Sequence, residues 1–179
     1  MTPMPGTKAA VRAMRRGLAL FPIPAGGRVP EPGWQRRTTL DEAALPELLD
    51  GGRNVGVSCR ASHAIGLDLD VEGDGQAVLA ELAAQLGQPW PVTLTVATPS
   101  GGRHLYFAVP DDCTTGSYSG GTTALGPGID VRGPGRRSGG YLVGPGSVVG
   151  GLPYTIVQDV PLAPLPEWIA HRIPPSTPQ

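Results

Sequence analysis

Residues 64–70 read Ala64-Ile65-Gly66-Leu67-Asp68-Leu69-Asp70, and the strict alternation makes them a β-strand. Leu67 and Leu69 turn to the core while Asp68 and Asp70 share the other face. Two residues of extended chain put their Cα atoms about 6.5–7 Å apart. That spacing suits carboxylates bridging cations about 3.5–4 Å apart, the arrangement of two-metal phosphoryl transfer. Taken alone, the pattern better describes a strand surfacing into an acidic loop, since Glu72 and Asp74 follow.

Two further stretches give it meaning. Thr98-Pro99-Ser100-Gly101-Gly102-Arg103-His104-Leu105-Tyr106-Phe107 reads as a turn entering a strand. His104 and Tyr106 share one face there, and Leu105 and Phe107 pack inward. Ser100, Gly101 and Gly102 suit close backbone approach to phosphate, with turn amides cradling the anion and His104 bonding to it. The plain alternative is an ordinary hairpin with a half-exposed histidine. Gly128-Ile129-Asp130-Val131-Arg132 is a second alternating strand, whose Asp130 gains weight only by joining Asp68 and Asp70. Arg28, in an early Gly/Pro-rich loop, and Arg132 are candidate triphosphate ligands, because guanidinium forks pair bidentately with phosphate, although apart from the other motifs solvated surface arginine is the better reading of each. Arg136 and Arg137 lie in a Gly-rich turn that could touch a template backbone, but a solvated loop explains them better.

Composition narrows the function classes. A chain of 179 residues with 40% hydrophobic content suits one globular domain. The expected domain is 1–173, followed by a disordered tail at 174–179. With 27 glycines and 21 prolines in no fixed period, short elements joined by many turns are expected. The formal charge of −1 excludes a generic polyanion binder. Lys8 is the only lysine, so no GxxxxGK[ST] phosphate loop exists. Cys59 and Cys113 form no CxxC, which argues against structural zinc and for reduced thiols in a cytosol. No apolar run approaches the ~20 residues of a membrane span, and the expected location is cytoplasmic.

Along the chain, Thr7–Arg16 is expected as a helix stopped by Gly17, and Leu18–Ile23 as a short strand. Thr39-x-x-Glu42 reads as a capping box opening a helix that Pro46 kinks or splits. Asn54–Cys59 and Ala64–Asp70 read as strands paired around a turn at 60–63. Asp74–Leu86 is the clearest helix, ended by Gly87. Val92–Thr98 and Arg103–Val109 form a hairpin, and 111–128 reads as a mobile polar flap. Strands follow at 129–132, 141–143 and 154–157, and 161–173 packs back on the body.

In this order the motifs resemble the bifunctional DNA primase/polymerase (prim-pol) domain of the archaeo-eukaryotic primase superfamily. The resemblance includes Gly17-Leu18-Ala19-Leu20-Phe21-Pro22, Gly27-Arg28-Val29-Pro30, Asn54-Val55-Gly56-Val57 and the three stretches above. It continues through Gly139-Gly140-Tyr141-Leu142-Val143 with Pro145 and Ser147, then Tyr154 and Pro164-Leu165-Pro166-Glu167-Trp168. It implies an α+β, two-lobed fold with an RRM-like catalytic lobe and the active site between the lobes. Asp68, Asp70 and Asp130 would bind two divalent cations, Mg2+ or Mn2+, and Gly102-Arg103-His104 would hold the incoming nucleotide. The expected catalytic set is Asp68, Asp70, Asp130 and His104. The expected nucleotide-binding set is Arg28, Ser100, Gly101, Gly102, His104, Arg132 and Ser147. Arg28 stands where the family usually has lysine, and Gly146 replaces a common proline. Implied partners are single-stranded DNA template and NTP or dNTP, with a helicase or template-binding accessory domain as a further candidate. Two other readings stay open: a DxD metal–nucleotide-sugar glycosyltransferase, and a binding module without turnover.

Overall fold

The computed structural model describes residues 5–175. It is α+β: antiparallel sheets with a few helices. Helix α1 (Pro5–Arg15) buries Ala10, Ala13 and Met14 along one stripe. It ends where Gly17 turns left-handed (φ 92°). There the Gly17 N–H donates to Met14 O and the Leu18 N–H to Ala13 O, closing a Schellman cap.

Strands β1 (Leu20–Ile23) and β2 (Asn54–Ser58) pair antiparallel, and β7 (Tyr141–Val143) completes a three-stranded sheet in the order β1-β2-β7. The larger sheet runs β10-β4-β5-β3-β6. Its strands are β3 (Ala64–Leu69), β4 (Thr95–Ala97), β5 (Arg103–Ala108), β6 (Ile129–Arg132) and β10 (Thr155–Gln158). The short β11 (Ala163–Pro164) adds a parallel bridge to the end of β5. Between β7 and β10 lies a two-stranded ribbon, β8 (Val148–Val149) with β9 (Leu152–Pro153).

The expected pairing of residues 54–59 with 64–70 does not occur. Residues 60–63 do turn, but they hand the chain from one sheet to the other: β2 pairs with β1 and β7, and β3 with β5 and β6. All five positions of β2 are buried, so no polar face marks its partners. The capping box also forms differently. The Asp41 carboxylate accepts from the Ala43 N–H, Glu42 pairs with Arg15 at 2.8 Å, and Pro46 opens the short α2 (Leu45–Leu48).

Both faces of the larger sheet are covered. Ile65, Leu67, Leu69, Leu105, Phe107, Ile129 and Val131 point to one side, beneath Leu79 of α3 (Gly75–Gln85) and Ile169 of α4 (Glu167–Ala170). On the other side Val96, Tyr106 and Ile156 join Leu142, Val55 and Val57 of the smaller sheet. Each such side chain contributes about 1.5–3 kcal/mol on burial. Gly66 makes that contact possible, because a Cβ there would overlap the Leu142 Cδ1. The 111–128 segment is anchored rather than a free flap: Tyr118 and Val131 exchange backbone bonds at 2.8 Å, and Leu125 is buried. Of the expected tail, 176–179 lies outside the described residues.

Candidate functional site

The register of the larger sheet builds the site. Asp68, on β3 between β5 and β6, lies directly opposite His104 of β5 and directly opposite Asp130 of β6. One transverse row therefore carries imidazole, carboxylate and carboxylate. Asp70 follows just beyond the end of β3, on the same face. Its N–H donates to Gly128 O (2.8 Å), and its carbonyl accepts from Gly75 at the start of α3 (2.9 Å). Carboxylate oxygens of Asp68, Asp70 and Asp130 all lie within 4.8 Å of one another.

Three like charges this close repel. The Asp70 carboxyl is held above its ordinary value, first by burial and then by Asp68 and Asp130. The cluster is half-buried, acid-only in its donors and convergent, so its residues fit a hard divalent cation, which would relieve that repulsion. Asp130 is also fixed from outside: Oδ1 accepts the Gly120 N–H at 2.5 Å, and Oδ2 pairs with Arg132 at 3.0 Å.

His104 is buried, with its side chain 4% exposed, rather than half-exposed on a hairpin. Its Nε2 lies 3.4 Å from Asp68 Oδ1. Its Nδ1 and the hydroxyl of neighbouring Tyr106 are buried with no protein partner among the described residues. Burial drives the Tyr106 phenol well above its ordinary value, so it stays neutral.

Asp68, Asp70 and His104 open on a cleft of about 540 Å3, whose lining does not include Asp130 or Tyr106. The larger sheet and its β4–β5 turn contribute Asp68, Asp70, His104, Arg132 and Ser100, and the smaller sheet contributes Tyr141, Leu142 and Val143. Arg28 reaches the cleft from the early loop, whose position Tyr141 fixes by donating its hydroxyl to Arg28 O (3.3 Å). Tyr154 lines the cleft beside His104, their rings 5.7 Å apart. Reasoning from local patterns passed over Tyr141 as a site residue, and no spacing rule would have found it.

Three expected nucleotide contacts take a different form. Ser147 is buried outside the cleft lining, accepting from the Val55 N–H (2.9 Å) and donating to Val55 O (3.0 Å). It fastens the loop after β7 to β2. The amide cradle at Gly101 and Gly102 is also closed. The Gly101 N–H donates to Thr98 O (3.0 Å) and the Gly102 N–H to Thr98 Oγ1 (3.0 Å). Gly102 is required for a different close approach, since a Cβ there would stand 2.5 Å from the Leu69 carbonyl oxygen. Of the turn, Ser100 faces the cleft, together with Thr98 and Pro99.

No helix is long and apolar enough to cross a membrane among the described residues. No curated protein matches the chain. Residues 10–168 match the family described as bifunctional DNA primase/polymerase, N-terminal. That match spans nearly all of the structure just described, acidic row and cleft included, and the chain belongs to the bifunctional DNA primase/polymerase N-terminal family.

Proposed function

We propose that this chain is a DNA-dependent primase/polymerase catalytic domain, spanning residues 1–173, that joins NTP or dNTP to a 3′-hydroxyl on a single-stranded DNA template. The observation that carries the reading is the transverse row: two acids and a histidine in register on three strands, with Asp70 on the same face. A glycosyltransferase needs the paired acids but gives no reason for the histidine opposite them.

Asp68, Asp70 and Asp130 would hold two divalent cations, Mg2+ or Mn2+. When bound, these would acidify the 3′-hydroxyl and neutralise charge on the departing pyrophosphate. The protein's own groups supply position. Asp68 orients the His104 imidazole toward the triphosphate, and Arg28 pairs with phosphate oxygens from the opposite wall. Arg132, tethered to Asp130, is held ready at the same charge centre. Ser100 adds a hydroxyl donor, while Tyr141 offers an aromatic wall to the base or sugar. Both substrates would enter from a cytosolic pool, with a helicase or accessory template-binding domain as the partner class.

Primer synthesis and primer extension on single-stranded DNA, with labelled NTPs and dNTPs in parallel, test the reading. Incorporation that requires Mg2+ or Mn2+ and vanishes on chelation is expected. Failure to incorporate either nucleotide class with either metal would sink it.

A further inference from the structure

The loop 133–140 between β6 and β7 separates the acidic cleft from a second cavity. Gly139 and Gly140 line the cleft, whereas Arg136, Arg137 and Ser138 line the other cavity, of about 490 Å3, together with Arg60. Nothing in the proposed chemistry uses these arginines. Three guanidiniums against the carboxylates of Asp111 and Asp112 leave the cavity positive on a chain of net charge −1. Asp111 is engaged by His63 Nδ1 at 3.3 Å.

Arg136 and Arg137 are not structural fasteners in the way other arginines of this chain are, and Arg60 has no carboxylate partner among the described residues. Arg12, Arg15, Arg16 and Arg132 each have a carboxylate partner, at 2.8, 2.8, 2.9 and 3.0 Å. Arg60, Arg136 and Arg137 have none within 4.0 Å among the described residues. The loop beneath them is nonetheless fixed. Gly140 donates to Gly133 O and Gly135 to Thr115 O, both at 2.8 Å, and Arg60 Nη1 donates to Gly135 O at 3.1 Å. Gly139 is left-handed (φ 69°), and a Cβ there would overlap the Pro134 carbonyl oxygen and stand 3.0 Å from the Arg60 Cβ. A tightly closed stem thus presents Arg136 and Arg137, both exposed, over a concave surface beside the cleft.

We propose that Arg60, Arg136 and Arg137 form a phosphodiester-binding groove that holds the single-stranded DNA template where it leaves the acidic cleft across the β6–β7 loop. Guanidinium forks match phosphate oxygens bidentately and without regard to base. Continuity through one loop gives the strand a path from the reacting end to the groove. The inference rests on the template-directed reading of the cleft, and its test is binding rather than turnover.

Anisotropy of labelled oligo(dT) of 4 and 16 nucleotides, with Mg2+ and without nucleotide, is compared between wild type and Arg136→Ala/Arg137→Ala across low to moderate salt. The double variant is expected to bind the 16-mer about tenfold more weakly at low salt, with a salt slope shallower by roughly 1.4 from two lost phosphate contacts. The 4-mer, short enough for the cleft alone, should be unaffected. Asp112→Asn should act in the opposite direction and tighten the 16-mer about twofold. Unchanged melting temperatures establish that the exposed substitutions leave the fold alone. Equal 16-mer affinity and slope in wild type and double variant overturn the groove, as does equal weakening of both lengths. A loss seen only with 5′-phosphorylated oligonucleotide would make the cavity an end pocket and also overturn it. Primer extension is scored separately: a chain that binds through these arginines but never incorporates nucleotide keeps the groove and loses the polymerase reading.

Discussion

The two faces of the larger sheet come from the same strands and obey different rules. On one face Leu67, Leu69, Leu105, Phe107, Ile129 and Val131 are all fully buried. On the other, one residue along in each strand, stand Asp68, His104, Asp130 and Arg132. The apolar face fixes register, because slipping β3, β5 or β6 by one residue would turn its polar side chains into the core and its apolar ones out of it. Register in turn fixes which charges meet. The acidic row is therefore a by-product of hydrophobic specification on the reverse side, and the two faces should fail in different ways.

The sharpest separation comes from substituting the row. Asp68→Ala, Asp70→Ala and Asp130→Ala should each lower nucleotide incorporation by about a thousandfold or more, on the order of 4 kcal/mol of transition-state stabilisation. Asp70→Ala also relieves repulsion among like charges, so its melting temperature should hold or rise in metal-free protein, whereas Asp130→Ala loses its contacts with Gly120 and Arg132 and should not gain. Substantial activity in any of the three would break the assignment of the row.

The reverse face should give the opposite pair of results. Leu67→Ala, one residue from Asp68, should cost about 2–5 kcal/mol of stability, read by denaturant or thermal unfolding. The folded fraction should keep its activity per molecule, since no ligand-facing group changes. Phe107→Ala belongs at the upper end, about 3–5 kcal/mol. A stable but inactive Leu67→Ala protein would mean that the two faces are not separable.

That division also explains what was legible in the sequence. Alternation exposed β3, β5 and β6, their inward leucines and the shared face of Asp68 and Asp70, because half-buried strands write a period of two. It did not expose the partners of β2, which is buried throughout and carries no polar phase. Nor did it distinguish Ser147, whose hydroxyl is fastened to Val55, from a serine facing a ligand. Gly102 was recognised as a close approach, but the neighbour is the Leu69 carbonyl rather than a phosphate. Tyr141 reaches the cleft only because a second sheet packs over the first, a fact no local pattern encodes.

His104 tests the border between the faces, being buried like a core residue yet lining the cleft. His104→Ala should weaken nucleotide use about tenfold, the scale of one charge-assisted hydrogen bond. Binding to single-stranded DNA should change much less. Unchanged nucleotide affinity with lost strand binding would move this histidine onto the template path.

The smallest effect is a contrast in sign between two aspartates. Asp159, outside the sheet, lies between Arg16 and Arg12, whose hydrogen bonds hold its carboxyl below the ordinary value. Such a group binds fewer protons folded than unfolded, so its stabilisation is present above the ordinary carboxylate range and is lost as pH falls through its lowered value. Asp70 is displaced the other way, by burial and by Asp68 and Asp130. Folded protein then holds that proton more tightly than unfolded protein does. Its contribution is greatest at low pH and declines as pH rises from the ordinary carboxylate value through the raised one. In metal-free protein, Asp159→Asn should flatten the acid limb of the stability profile, and Asp70→Asn should flatten the decline just above it. Both effects are modest, because both groups meet solvent. Added Mg2+ should abolish the Asp70 decline and leave the Asp159 limb unchanged, since only the row gathers carboxylates around one point. A profile in which Mg2+ altered both limbs equally would show general ionic screening instead and remove the distinction drawn between the two acids.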